Sequence, residues 1–236
     1  MEVRLKVAYN MSYMTFSWTV LEVKVKNISF NKNVDLFYYH HVTGNWQQSA
    51  MVLNGHYGDY DLFKAENVAN LYQFAVRYQA GGMEFWDNNQ GNNYDLGSAY
   101  PGVVGGHVVL DKATAVRWME PVGYTAFDVG WFEGDILVTN LSYNKKVGVV
   151  YSIDDGAHWN IALASYSGKI REDAVNFSGI EKWHFETGRL NINIAPSSAA
   201  YQFAVFYEDV NSGKTYWDNN FNQNYALSKT AGSQIG

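Results

Sequence analysis

The sequence predicts an all-β protein built from two related domains in tandem. Three observations carry this. Apolar and polar residues alternate with period two, glycine and asparagine rather than proline punctuate the chain, and most of the first half recurs in the second.

The alternation defines the class. VLEVKVKN (20–27) alternates apolar and polar side chains, and YQFAVRY (72–78) puts Tyr72, Phe74, Val76 and Tyr78 on one face with Gln73, Ala75 and Arg77 on the other. This period marks half-buried strands. No long stretch carries helical spacing, and only three prolines interrupt the 236 residues.

The recurrence defines the domains. At an offset of 113, Val3 and Arg4 fall on Val116 and Arg117, Trp18 on Trp131, NISFNKNV (27–34) on NLSYNKKV (140–147), Tyr38 on Tyr151 and Trp46 on Trp159. The offset grows to 129 where YQFAVRY meets YQFAVFY (201–207), and to 131 where WDNNQGNNY (86–94) meets WDNNFNQNY (217–225). A constant offset followed by jumps means two homologous domains with longer connections in the second. Units of this length fold as domains, not as solenoid repeats of ~20–50 residues. The glycine-rich stretch PGVVGGH (101–107) is the expected junction, giving domains 1–102 and 103–236, each most simply a β-sandwich. The insertion between Trp159 and Tyr201, with Trp183 and His184, reads as a lid, a second contact surface or a domain interface.

Composition narrows the function. The net charge of −6 argues against nucleic acid, which would require a basic stripe. There is no cysteine, hence no disulfide framework, thiolate metal site or cysteine nucleophile. No segment reaches the ~20 apolar residues of a membrane span. MEVRLKVAYN has an early carboxylate and no apolar block, so it does not read as a signal peptide. No cofactor is implied. Asp87, Asn89 and Gly91 echo a calcium loop, but no glutamate follows at the required spacing and the second copy lacks the glycine, so no metal is expected. His40 and His41 read as surface or turn residues.

The two polar loops are the informative feature. Asparagine forms turns, so WDNN reads either as a hairpin with a core tryptophan or as part of a site. Six polar residues exceed what a hairpin needs. A pyranose offers a hydrophobic C–H face and a hydroxyl rim. Exposed tryptophan or tyrosine can lie against the face, and neutral amides can donate to and accept from the rim. Residues alone therefore point to neutral carbohydrate. Trp18 and Trp131 recur on an early strand and are expected in the core. Trp118 and Trp183 have no counterpart and stay unassigned.

N-x-S-[FY]-x-K-x-V, then a turn ending in tryptophan, then Y-Q-F-A-V-x-Y, then W-D-N-N-x-x-x-N-Y, resembles the family 21 carbohydrate-binding modules. These are starch- and glycogen-binding domains of fungal glucoamylases and of glycogen-targeting phosphatase subunits. The resemblance covers roughly residues 15–96 and 128–227. It implies an immunoglobulin-like antiparallel β-sandwich in each half and an α-1,4-glucan ligand such as starch or glycogen. It also implies binding without catalysis. The implied ligand contacts are Trp46, Trp86 and Tyr94 with the amides of Asn89 and Asn93, and Trp159, Trp217 and Tyr225 with those of Asn220 and Asn224. The family varies at the first aromatic of W-D-N-N, which leaves open that one ring of each Trp/Tyr pair is core. Phe221 and Asn222 replace Gln90 and Gly91, which is expected to alter the second loop's backbone and to widen its platform. The alternative role is a scaffold that brings an enzyme to glycogen or starch, although no Arg/Lys-Val-x-Phe docking motif is present. A glycoside hydrolase would need two carboxylates across a cleft, and only Asp87 and Asp218 recur. The setting that fits is a fragment of a larger amylolytic protein, secreted or at the cell surface.

Overall fold

The computed structural model describes residues 1–13, 15–40, 42–68, 71–96, 102–170, 179–191 and 199–236. His41, Pro101 of the expected junction, and residues 171–178 and 192–198 of the expected insertion lie outside the described residues.

The chain forms two compact units, with cores drawn from Met1–Gly105 and from Gly106–Gly168 plus Glu181–Gly236. The first contains β1 (Val3–Tyr13), β2 (Phe16–Lys26), β3 (Lys32–His40), β4 (Asn45–Ala50), β5 (Val52–His56), β6 (Tyr60–Lys64), β7 (Gln73–Ala80), β8 (Met83–Asp87), β9 (Tyr94–Asp95) and β10 (Gly102–Val104). The second contains β11 (Val108–Val122), β12 (Thr125–Thr139), β13 (Lys145–Ser152), β14 (Asn160–Leu163), β15 (Ser165–Lys169), β16 (Ile180–Glu186), β17 (Leu190–Asn191), β18 (Ala200–Asp209), β19 (Lys214–Asp218), β20 (Tyr225–Ser228) and β21 (Gln234–Ile235).

Among the described residues each unit is a pair of antiparallel sheets. In the first they run β10-β1-β2-β6-β5 and β4-β3-β7-β8, with β9 beside β7. In the second they run β21-β11-β12-β16-β15, with β17 on β12, and β14-β13-β18-β19, with β20 beside β18. The alternating residues of the sequence meet in the space between the sheets. Val23 and Val25 of β2 share one buried cluster with Val34 and Leu36 of β3 and Phe74, Val76 and Tyr78 of β7. Tyr72, expected on that face, lies before β7 and is exposed. In the second unit the Phe132 ring lies 4.8 Å from Phe203 and 4.9 Å from Tyr201, so its core is richer in aromatics.

The strand register corrects two readings of the repeat. Leu5 and Leu110 occupy the same place beside the same bulge, an offset of 105. The alignment of Val3 and Arg4 with Val116 and Arg117 is therefore displaced. Beyond the paired Met11–Trp18 and Val116–Trp131 the β11–β12 hairpin has four more residue pairs than β1–β2, which restores the offset of 113 on the second strand. Secondly, β16 is not an added element. It holds the place of β6, and the extra residues fall into the connections on either side of it. Part of that extra chain packs on its own unit: Thr187 exchanges hydrogen bonds with the Phe132 backbone, and the Arg189 guanidinium lies 4.8 Å from the Trp131 ring. This cover explains why Trp131 is buried as expected, whereas its counterpart Trp18 is 41% exposed.

The N-x-S-[FY]-x-K motif ties the two sheets of each sandwich together. Lys32 Nζ on β3 donates to the Asn27 side chain at 2.6 Å and to Asp61 on β6 at 2.5 Å. Lys145 Nζ repeats this with Asn140 at 2.7 Å and Glu181 on β16 at 2.9 Å. Removing one partner of a buried pair strands the other's charge, which costs about 3–5 kcal/mol. Lys32→Ala and Lys145→Ala are each expected to lower stability by roughly that amount in urea unfolding, whereas Lys64→Ala, whose pairing with Glu66 is exposed, is expected to change it by about 0–1 kcal/mol.

Candidate functional site

Each W-D-N-N string ends a strand and begins a loop, and its aspartate turns inward. Asp87 is buried, accepting the Leu5 backbone N–H at 2.6 Å and the Tyr94 hydroxyl at 2.8 Å. Asp218 does the same with Leu110 N–H at 2.9 Å and the Tyr225 hydroxyl at 2.6 Å. The partner β10 covers only Val7–Tyr9 of β1, and β21 only Ala113–Thr114 of β11. Each carboxylate thus takes an amide that the neighbouring strand does not reach. Burial pushes the Asp87 carboxyl above its ordinary value against the pull of these donors, and burial beside Asp87 drives the Tyr94 phenol far up.

This latch decides where the loop residues point. Tyr94 and Tyr225 are 6% and 1% exposed, stacked on Phe74 and Phe203 at 5.2 Å in both units. They are core residues, not platform rings, because their hydroxyls serve the buried aspartates. Asn89 and Asn220 are also used internally. Each donates its side-chain N–H to a backbone carbonyl, of Asn93 at 3.0 Å and of Asn224 at 3.1 Å, and Asn220 is buried. Positive φ at Asn89, Gln90, Gly91 and Asn93 recurs at Asn220, Phe221, Asn222 and Asn224. Asn222 adopts the left-handed conformation of Gly91, as asparagine tolerates, so losing the glycine leaves this pattern of the backbone unchanged. Phe221 is half-buried.

The tryptophans stand outside. Trp46, Trp86, Trp159 and Trp217 are 42–46% exposed. In the first unit Trp46 and Trp86 line an open cleft of about 260 Å³ together with Phe37, Ala75, Asn88 and Asn93. Both asparagines thus lie at this cleft, and Asn88, read as a turn residue, also caps the loop by accepting the Gly91 N–H at 3.0 Å. Trp86 is held from three sides. Phe37 lies 5.0 Å away, the Arg77 guanidinium 5.9 Å away, and the indole N–H donates to Glu84 at 2.8 Å, so it is already engaged. Arg77 is itself fixed by Asp35 at 2.8 Å. In the second unit Trp217 lies 5.5 Å from Phe206, and Asn224 is half-buried in the same loop.

The turns that present Trp46 and Trp159 are built differently. Thr43 bonds to the His40 ring and to Asn45 before Trp46. Before Trp159, Asp154 accepts the His158 ring N–H at 2.6 Å, the His158 backbone N–H at 2.9 Å and Ser152 Oγ at 2.8 Å. The His158 contacts, reinforced by Ser152, pull the Asp154 carboxyl down to about 2. A further recurring pair escaped the sequence reading. Phe30 and Tyr143 are fully exposed at the turns before β3 and β13. The signal was present, since the aromatic of N-[IL]-S-[FY] persists between an asparagine and a lysine whose side chains are structural.

Residues 118–228 match the carbohydrate/starch-binding modules of family 21. Glucoamylase 1 of Rhizopus oryzae is 37% identical over 106 residues, which is 43% of this chain and 15% of that protein. Glycogen-binding subunit 76A of Drosophila melanogaster is 35% identical over 83 residues, 30% of this chain and 12% of that protein. This chain thus corresponds to a small part of either relative. Among solved structures, the starch-binding domain of Rhizopus oryzae glucoamylase, in complex with β-cyclodextrin and maltoheptaose, is 32% identical, with 93% of that domain and 52% of this chain covered and a TM-score of 0.34. The carbohydrate-binding module of the muscle glycogen-targeting subunit of protein phosphatase 1 is 23% identical over 77% of its length and 50% of this chain, with a TM-score of 0.32. The family match, over residues 118–228, assigns the second unit to the family 21 carbohydrate/starch-binding modules. The family match lies in the second unit, and the first carries the same latch, lysine pair and tryptophans.

Two outcomes follow. Asp87→Ala and Asp218→Ala each strand a buried amide and a buried phenol, so each is expected to cost roughly 2–5 kcal/mol in urea unfolding. The Asp154 carboxyl lies below its ordinary value, so its contribution to the Trp159 turn is fully present above about pH 4 and lost only as pH falls through about 2. Tryptophan fluorescence of Trp46→Ala protein, in which Trp159 is the one turn tryptophan among the seven that remain, should show no change from the Trp159 turn between pH 7 and about pH 4, and Asp154→Ala should alter that signal already at pH 7.

Proposed function

We propose that this chain binds α-1,4-linked glucan, as starch, glycogen or maltooligosaccharide, through two tandem aromatic platforms and without catalysis of its own. The carrying observation is the repeated placement of exposed tryptophans, Trp46 with Trp86 and Trp159 with Trp217, beside an amide loop on equivalent sheets. A glucose ring laid on an indole buries apolar area at small entropic cost, and Asn93 with the side-chain N–H of Asn88, and Asn224 in the second module, offer neutral hydrogen-bonding groups to its hydroxyls, whereas the Asn219 side chain is closed on Asn222. The only loop acids that recur, Asp87 and Asp218, are buried in the latches and are poorly placed for acid–base work on a glycosidic bond. The relatives, a glucoamylase and a glycogen-binding subunit, support the ligand class.

Each platform is shallow and is expected to bind in the millimolar to micromolar range, about −4 to −8 kcal/mol. Two weak sites on one chain, the modules dividing near residues 102–106, raise affinity for a long polymer by effective concentration when the linker lets both engage. The resemblance to a glycogen-binding subunit favours a second use of the same binding, bringing a partner enzyme to the polysaccharide. A place within a larger, secreted or surface amylolytic protein also fits, given the small share of the relatives that the chain spans.

Native affinity electrophoresis in soluble starch tests this reading. Wild type should be retarded by starch and not by cellulose or xylan derivatives, Trp46→Ala and Trp159→Ala should each weaken retardation, and the double variant should abolish it. A folded double variant retarded like wild type would remove these tryptophans from the site.

A further inference from the structure

The two platforms occupy equivalent positions on different surfaces. In register across the sheet, the first module places Ala50, Asp35, Arg77 and Trp86 in one row, and Asp35 and Arg77 form an ion pair. The second places Leu163, Gly148, Phe206 and Trp217 in that row. A Cβ at Gly148 would meet the Phe206 ring at 3.0 Å and the Ala162 carbonyl at 2.6 Å, so glycine is what lets this ring pack against β13. The next row changes likewise, from Gln48, Phe37 and Ala75 to Ile161, Val150 and Ala204. Ile161 and Leu163 are 67% and 62% exposed. They continue along β14 from Trp159 on the same face, since alternate strand residues share a face. The Lys146–Glu208 ion pair bounds the field on one side, and neither of the two rows carries a charge. A contiguous exposed apolar strip on a soluble domain marks a binding surface.

We propose that the second module carries an extended glucan track, in which Ile161 and Leu163 receive the C–H faces of sugar rings beyond the Trp159–Trp217 platform, so that this module selects longer chains than the first. The inference rests on the glucan-binding reading above. Two features favour a polysaccharide as the occupant. The strip is continuous with the tryptophans, and a field without charge matches a ligand without charge. From Trp159 to Leu163 the strand advances four residues, about 13 Å, which leaves room past the indole for further sugar. The first module cannot offer the same track, because an ion pair and Gln48 cross it.

The test uses the full chain with the first platform disabled by Trp46→Ala and Trp86→Ala. In that background Ile161→Gln and Leu163→Ala give β14 the residues of β4. Calorimetric titration with maltotriose and with maltoheptaose should show a loss of roughly five- to tenfold for maltoheptaose alone, the scale of one or two buried methylene groups. Equal losses for both sugars, or none, would overturn the track while leaving the platform intact. Sedimentation velocity supplies the other contrary outcome: a self-associating parent made monomeric by the two changes would assign the strip to a second copy of the chain. Circular dichroism checks folding of the variant. If the parent with the first platform disabled binds neither sugar, or binds unchanged after Trp159→Ala and Trp217→Ala, the platform reading itself fails, and the track with it.

Discussion

Asp87 and Asp218 each put a carboxylate where a strand is missing. β1 and β11 run past the reach of their edge partners, and the amides of Leu5 and Leu110 would otherwise face the interior unpaired. An acid at the end of the penultimate hairpin of the opposite sheet meets that need. It also closes the sandwich, because the same carboxylate receives a tyrosine hydroxyl from beyond the loop. With strand end and tyrosine both fixed, the intervening residues must turn back within a few positions, which forces left-handed backbone and explains the asparagines. The tryptophan immediately before the aspartate then faces the opposite side, outward, as neighbours on a strand do. The exposed ring is a consequence of the buried acid beside it.

On this shared frame the two modules have diverged where ligand would lie. The first supports Trp86 with a guanidinium, a phenyl ring and a glutamate. The second exchanges the Asp35–Arg77 pair for Gly148 and Phe206, a coupled change in which the small residue makes room for the large one. The tryptophan turns differ in the same way, one built on a threonine and a histidine, the other on an acid. Identical frames with unlike surfaces are what a duplicated module shows when its fold is kept and its contacts are tuned separately.

Much of this was legible in the sequence, for physical reasons. Period two and the repeated strings establish the strands and the duplication, and the N-x-S-[FY]-x-K string marks a fixed structural point because its lysine joins the asparagine of the same string to one acid in each module. What could not be read was the direction of individual side chains. Nothing in WDNNQGNNY says that Tyr94 points inward while Trp86 points out, since that depends on the Leu5 amide, 82 residues away from Asp87. The same limit affects Asn89 and Asn220, whose amides close their own loops, and Trp18, whose burial depends on chain that only the second module has. The longer β11–β12 hairpin misled the alignment of the first strand because Val-Arg recurs by chance at the wrong offset.

The most direct measurement follows the ring protons and indole N–H signals of the eight tryptophans, and the tyrosine ring signals, by NMR while maltoheptaose is added. The account predicts that Trp46, Trp86, Trp159 and Trp217 shift, while Trp131, Tyr94 and Tyr225 stay near their free positions. If the two tyrosines move and Trp86 and Trp217 remain silent, the buried acids do not set the platform, and the loops present a different face to the sugar.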